Sequence, residues 1–268
     1  MKVQLLPSSV DKNGAASARQ HLTCFVIDDC VTIDAGSLAM ACSDEQFENI
    51  RDIVLTHAHL DHIAGLPLFI DDLFAKLSEP VRVHATREMI EILERDIFNW
   101  SVYPRFSELS NANGPVMQYV PYEIGREFTV RNLRIKAVAV NHLVPAAGFI
   151  VSNGNSKFAI TGDTAAMDDF WEVVNRENDV SALLVECAFP NYLCELADIS
   201  HHLTPAKLSA ELAKKTRFVL CHDWSFIPVD RHVKARDPQR QRASAKTALD
   251  RRPSDDGRCQ AVSFSVPA

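Results

Sequence analysis

Three imidazoles and a carboxylate fall within one short motif, Thr56-His57-Ala58-His59-Leu60-Asp61-His62. Neutral imidazole nitrogen and carboxylate oxygen form the ligand set of zinc, with iron or manganese as substitutes. The motif follows Asp52-Ile53-Val54-Leu55, an apolar, β-branched run that reads as a buried strand. Along extended backbone His57 and His59 share one face, whereas Asp61 and His62 lie past a corner where a helix begins. One strand end cannot aim all four groups at a single point, so the spacing favours two adjacent metal ions over one. A lone surface histidine would carry no such signal; four potential ligands directly after a buried strand do.

The elements that must position this motif follow in order. Near the N-terminus, residues 3–6, 21–28 and 31–34 read as short strands broken by Asn13-Gly14 and Asp28-Asp29. Ile33-Asp34-Ala35-Gly36 closes the last of them with a turn-forming glycine. Asp34 either supports the metal site from behind or caps the turn. After the motif, Ile63, Leu66, Leu68, Phe69, Leu73, Phe74 and Leu77 recur at helical spacing, and Pro67 is tolerated in the first turn. Residues 81–84 form a strand in which His84 is an ordinary member. Residues 86–98 form a helix with Thr86 as its N-cap. Residues 100–121 lack periodicity and read as a loop that borders a pocket and could contribute to a homodimer interface.

Beyond them, residues 127–130 and 133–140 alternate as one hairpin, and residues 149–152 and 157–160 as a second around Asn153-Gly154-Asn155. The first hairpin leads to His142 and the second to Asp163. A helix follows to about residue 177, then a strand at 182–185 ending in Glu186, a helix at 204–215, and a strand at 217–221 that delivers His222. His57, His142, Asp163, Glu186 and His222 thus each sit at or just past a strand end, and polar groups at one edge of a sheet core are how α/β enzymes build sites. Singly, Asp163 is also a good N-cap and His142 a good turn residue.

Composition narrows the function classes. The chain has 268 residues, 47% of them hydrophobic, and a net charge of −7, which argues against a protein that coats long nucleic acids. It shows no stretch long and apolar enough for a membrane span and no signal-peptide pattern. Seven cysteines, an odd count without C-x-x-C spacing, fit reduced thiols in a cytoplasmic protein. Residues 231–258 carry nine Lys or Arg against four Asp, so residues 230–268 are expected to form a polar, poorly ordered tail after a hydrolase domain at residues 1–229.

The motif H-x-H-x-D-H after an apolar strand resembles the hallmark of the metallo-β-lactamase superfamily. That resemblance implies an α+β fold, an αββα four-layer sandwich with a two-metal site on its upper edge. More narrowly, His57-Ala58-His59-Leu60-Asp61-His62-Ile63-Ala64-Gly65-Leu66, Asn141-His142-Leu143-Val144-Pro145-Ala146-Ala147-Gly148-Phe149 and His202-Leu203-Thr204-Pro205 are similar to class II 3′,5′-cyclic-nucleotide phosphodiesterases. By position, the resemblance implies that His57, His59 and His142 hold one metal, that Asp61, His62 and His222 hold the other, and that Asp163 bridges them. Two divalent ions about 3.5–4 Å apart lower the pKa of a shared water and neutralise phosphate oxygens as charge develops. The implied reaction is attack of metal-bridging hydroxide on phosphorus, opening the cyclic diester of cAMP or cGMP to a 5′-nucleotide.

In that reaction His202 is the candidate general acid for the leaving 3′-oxygen, since an imidazole near its ordinary pKa donates at neutral pH. The other reading of His201-His202 is a helix-entry loop with one solvated and one capping ring. Asp61 contributes to catalysis through its metal, and Glu186 either orients an imidazole or is a buried structural carboxylate. After His222 the Arg-rich stretch departs from the family pattern, which leaves the support of His222 open. The rivals are an RNA 3′-end nuclease, disfavoured by the acidic body, a lactonase or thioesterase, and a catalytically weak metal-binding protein.

Overall fold

The computed structural model describes residues 1–17, 19–177 and 179–215, with the backbone of Ser263–Ser265. His222, the 229/230 boundary and the rest of the expected tail lie outside the described residues.

In chain order the first elements are β1 (Lys2–Leu5), β2 (Phe25–Ile27), β3 (Val31–Ile33), α1 (Leu38–Ala41), α2 (Asp44–Asn49), β4 (Asp52–Val54), α3 (Leu60–Ile63), α4 (Gly65–Leu73), β5 (Val81–Ala85) and α5 (Arg87–Ile92). A two-residue hairpin, β6 (Ser110–Asn111) and β7 (Gly114–Pro115), precedes β8 (Met117–Pro121). Then come β9 (Glu127–Val130), β10 (Leu133–Ala139), β11 (Ala147–Ser152), β12 (Lys157–Ile160), α6 (Asp169–Arg176), β13 (Ala182–Leu184), α7 (Cys194–Ile199), α8 (Pro205–Leu212) and β14 (Ser263–Ser265).

These strands form two large sheets, β14-β1-β2-β3-β4-β5-β8 and β13-β12-β11-β10-β9. The β3, β4, β5 and β8 neighbours run parallel, as do β12 and β13; the remaining pairs in the two sheets are antiparallel. The period of two sorts each strand's side chains between layers. Val54 of β4 faces the second sheet, packing with Ile135, Phe149 and Phe158, while Ile53 and Leu55 face the helices with Leu66, Phe69 and Leu73. On the second sheet Phe149 and Val151 point inward, and Ile150 points out beneath Phe170 and Trp171 of α6. Strands buried on both faces read as unbroken apolar runs. The result is helix, sheet, sheet, helix: the αββα sandwich.

Most expected elements are present. Both hairpins fall where the sequence puts them. Thr86 caps α5 by accepting from Met89 N, and the helix runs on as a wide turn through Ile97. Residues 100–121 differ from the loop reading, because Met117–Pro121 is a strand parallel to β5. A five-residue edge strand that ends in proline has weak local signal and exists through its partner. None of the described helices is long and apolar enough to cross a membrane.

The lower end of β4 is pinned by charge. Asp52, 2% exposed, accepts from Arg82 Nε at 2.7 Å, Arg131 Nε at 3.0 Å and the His84 ring at 2.9 Å. His84 is therefore part of a buried ion cluster that ties β4, β5 and the β9–β10 turn together, rather than an ordinary strand residue. Burial opposes ionisation of Asp52, but Arg82, His84 and Arg131 outweigh it and hold its carboxyl below the ordinary range. A lowered folded-state pKa gives stability that is present above the unfolded value of about 4 and lost as pH falls through the folded one. Asp52→Asn is expected to cost about 2–4 kcal/mol at pH 7, less than a fully buried pair because the arginines reach water. Urea unfolding should show the gap to wild type closing only below about pH 4; a gap unchanged down to pH 3 would sink the assignment.

Candidate metal centre

The site begins with a carboxylate. Asp34 follows β3, 1% exposed, and its backbone is left-handed at φ 61°. That conformation turns the side chain toward Thr56, whose backbone N–H donates to Asp34 Oδ1 at 2.8 Å. The Thr56 hydroxyl also donates to Asp34, at 2.9 Å to Oδ2, and having spent its proton there it accepts from His57 Nδ1 at 3.0 Å. His62 Nδ1 donates directly to Asp34 Oδ2 at 2.7 Å. One carboxylate thereby sets both tautomers: His57 and His62 each carry the proton on Nδ1, which leaves Nε2 for the site. Of the two readings of Asp34, support of the site from behind is the one its contacts favour.

Close backbone approach holds this arrangement in register. Gly36 donates to Thr23 O while Thr23 N donates to Asp61 O. A Cβ on Gly36 would lie 1.9 Å from that Asp61 oxygen. Its role is this close packing against the motif, and the turn's unusual φ belongs to Asp34. Gly162 does have positive φ, 62°, and its α-carbon packs against Thr56, where a Cβ would meet the threonine side chain at 3.0 Å. It places Asp163 at the end of β12.

Three rings form a nearly equilateral triangle. His57, His59 and His142 have ring centroids 4.7, 4.8 and 4.9 Å apart, each pair close to edge-on. His142 Nδ1 donates to the His201 carbonyl at 3.2 Å, so its Nε2 carries the lone pair, 3.1 Å from His59 Nδ1. Asp163 Oδ2 lies 3.3 Å from His62 Nε2, 3.9 Å from His57 Nε2 and 3.9 Å from His202 Nδ1. Candidate ligand atoms converge in three groups among the described residues: His57, His59 and His142; His57, His62 and Asp163; and His142, Asp163 and His202. Asp61 belongs to none of the three, although its Oδ2 comes within 3.5 Å of His62 Nε2. His202, read as a proton donor, is placed close enough to Asp163 and His142 to act as a ligand.

The electrostatics suit cation binding. Burial pushes the imidazoles of His57, His59 and His142 below their ordinary value, His142 to about 4, so all three keep a lone pair at neutral pH. Burial acts on His62 too, but Asp34 and Asp163 outweigh it and hold its pKa well above the ordinary value. A positive charge is thus favoured where His62 faces two carboxylates, and a metal ion supplies it as well as a proton does. His57 Nε2 is buried with no hydrogen-bond partner among the described residues. An unmet buried acceptor costs about 1–3 kcal/mol, and a divalent cation would be its partner. The donor set fits a metal.

Behind His202 stands Glu186, just past β13. Its Oε1 accepts from His202 Nδ1 at 3.0 Å, Leu203 N at 3.1 Å and Thr164 N at 3.1 Å, and its Oε2 accepts from Ala188 N at 2.8 Å. Burial raises the Glu186 pKa while the His202 imidazole pulls it down. Glu186 thus meets His202 and the Asp163 loop at once, the orienting arrangement rather than an isolated structural carboxylate. Sequence reasoning missed Thr56, Asn141 and His201 as parts of the site. Thr56, next to His57, carried the one local signal, a hydroxyl beside a candidate ligand.

Comparison with known proteins agrees with this geometry. A β-lactamase superfamily domain matches residues 26–222. A probable 3′,5′-cyclic-nucleotide phosphodiesterase of Yersinia pestis is 25% identical over 189 residues, 64% of this chain and 52% of that protein. A nuclear ribonuclease Z of Triticum aestivum is 26% identical over 139 residues, 51% of this chain and 72% of that one. The chain therefore spans about half the length of the phosphodiesterase. The crystal structure of the metallo-β-lactamase fold protein YhfI of Bacillus subtilis superposes with a TM-score of 0.62 at 15% identity, covering 80% of this chain and 82% of that chain, a likeness of fold. With the family match running from β2 past α8, across both sheets and every candidate ligand among the described residues, the chain belongs to the metallo-β-lactamase superfamily.

Proposed function

We propose that this metal-dependent hydrolase cleaves a phosphodiester, with 3′,5′-cyclic nucleotides as its substrate class. The observation that carries the reading is the Glu186–His202 pair, 3.0 Å apart beside the ligand groups. Attack on a carbonyl carbon and attack on phosphorus share the same ligands; this pair supports a substrate whose leaving alkoxide needs a proton, as the 3′-oxygen does and the thiolate of a thioester does not. Glu186 accepts the Nδ1 proton of His202, which fixes the tautomer and leaves Nε2 to exchange a proton with the leaving 3′-oxygen. The relative of Yersinia pestis, by its name, supports the cyclic-nucleotide substrate.

In this reading His57, His59 and His142 hold one divalent cation, Asp61, His62 and His222 a second, and Asp163 stands between them. Zinc is the first choice, with iron or manganese as alternatives. Two such ions supply a hydroxide source near neutral pH and offset charge on the phosphoryl oxygens. The chain's own residues do the rest. Asp34 and Thr56 keep His57 and His62 in the ligating tautomer, and Glu186 keeps His202 aimed and protonated on Nδ1. The proposed setting is a cytoplasmic enzyme acting on a small substrate, with a homodimer open to test by mass measurement. The wheat relative makes ribonuclease Z-type cleavage the second reading, and the chain's net charge of −7 weighs against it.

Metal-loaded wild type should hydrolyse cAMP or cGMP, and His59→Ala should abolish turnover. His202→Ala should lower kcat on the cyclic nucleotide by roughly 100-fold or more, the scale of a general acid. The same variant should lose far less on bis-p-nitrophenyl phosphate, whose leaving group departs without a proton. Equal losses on both substrates would rule out the acid role, and cleavage of pre-tRNA but not cAMP would move the assignment to the nuclease. Asp34→Asn, a change its left-handed backbone tolerates, should weaken zinc binding about 10–100-fold. Unaltered zinc affinity by chelator competition would refute the role given to Asp34.

A further inference from the structure

Three loops bring side chains to the site from separate elements: the one after β10 carries His142, the one after β12 carries Asp163, and the one after α7 carries His202. A single side chain ties them together. Asn141 Nδ2 donates to the Ala166 carbonyl at 2.8 Å, which orients the amide and leaves Oδ1 to accept from His201 Nδ1 at 3.0 Å. Its backbone N–H donates to Thr164 Oγ1 at 3.1 Å, and its carbonyl accepts from Ala165 N at 2.7 Å. Asn141 therefore touches the Asp163 loop at three points and the His202 loop at one.

His201 closes the circuit. It follows the C-terminal cap of α7, where its N–H donates to Asp198 O, and its φ is 54°. This is the position at which helices ordinarily end in glycine, because a Cβ is penalised there. The ring at this position does what glycine could not, since it donates to Asn141. The backbone carbonyl of the same residue accepts from His142 Nδ1 and so fixes which nitrogen of His142 faces the metal groups.

We propose that Asn141 and His201 form a latch toward the metal. The His201 ring, anchored on Asn141, holds its own carbonyl against His142, and His201 is a positioning residue kept at a backbone site that would favour glycine. This rests on the reading of His142 as a metal ligand. The latch separates two properties that a mere helix cap would move together. His201→Gly relieves the left-handed backbone but loses the ring, whereas His201→Asn tolerates that backbone and presents an Nδ2–H where Nδ1–H was.

The test is titration of the metal-free full chain with Co²⁺ against a competing chelator, read by the visible absorption of the bound ion, beside thermal melting without metal. His201→Gly is expected to melt no lower than wild type yet bind Co²⁺ about tenfold more weakly with an altered spectrum, at the low end for partners behind a ligand. His201→Asn should restore the wild-type affinity and spectrum. Asn141→Ala, which breaks the latch from its exposed side, should weaken Co²⁺ binding alike. Wild-type affinity in His201→Gly or Asn141→Ala would overturn the latch and leave His201 a helix cap; so would a His201→Asn variant as weak as His201→Gly. Failure of wild type itself to take up Co²⁺ would overturn the metal reading beneath it.

Discussion

A carboxylate almost wholly removed from water must have its oxygens matched by donors, and in this fold that demand organises the site. Asp34 draws its donors from the backbone and hydroxyl of Thr56 and from the ring of His62. Each of these partners lies at or past the end of β4, so satisfying one buried group at the end of β3 fixes the path of the chain through the metal motif. The arrangement is stable because β3 and β4 are parallel neighbours whose ends lie side by side. It is directional because a carboxylate accepts only, and every imidazole that meets it, directly or through Thr56, must present its other nitrogen to the site.

The same strand is secured at its opposite end. Asp52 opens β4 in a cluster with Arg82, His84 and Arg131, which joins the first sheet to the β9–β10 turn of the second. Between the two carboxylates, Ile53 and Val54 pack to opposite layers. Beta-strand alternation thus leaves polar groups only at the ends, one end serving cohesion between the sheets and the other serving chemistry. Glu186 repeats the logic on the second sheet, where a buried carboxylate past β13 collects donors from the loops of Asp163 and His202.

What could be read from the sequence follows from range. The metal motif, the two hairpins and the cap at Thr86 are local patterns, and each appears where its residues place it. The convergence of His57, His142 and Asp163 was legible as a shared position at strand ends, a rule of sheet architecture rather than of any one segment. The illegible parts depend on partners far along the chain. Met117–Pro121 becomes a strand only beside β5, and His84 meets Asp52 across 32 residues. Gly36 looks like a turn glycine, yet its constraint is the backbone of Asp61, and the left-handed residue of that turn is Asp34. The contact between Asn141 and His201 carries no local mark, because 60 residues separate the two ends of their hydrogen bond.

Two of these positions share a further property. Asp34 and His201 are non-glycine residues in the left-handed region, a conformation that costs most L-residues about 1–2 kcal/mol and is eased for short polar side chains. Each turns a group toward an imidazole that faces the metal groups: the carboxylate of Asp34 toward His62, the carbonyl of His201 toward His142. In both cases the side chain that makes glycine unsuitable is also the one that makes the contact, to His62 and Thr56 in the first and to Asn141 in the second. Local preference and site geometry therefore conflict at both positions, and the geometry prevails. A glycine at either would suit the backbone, but at position 34 it would remove the acceptor of His62 and at position 201 the ring that meets Asn141. His142, neutral with its lone pair already turned to the site, has no proton to give up when a cation enters, whereas His62, whose pKa Asp34 and Asp163 hold well above the ordinary value, exchanges its proton for the cation. Backbone strain at these two residues is thus coupled to preorganisation of the ligand set.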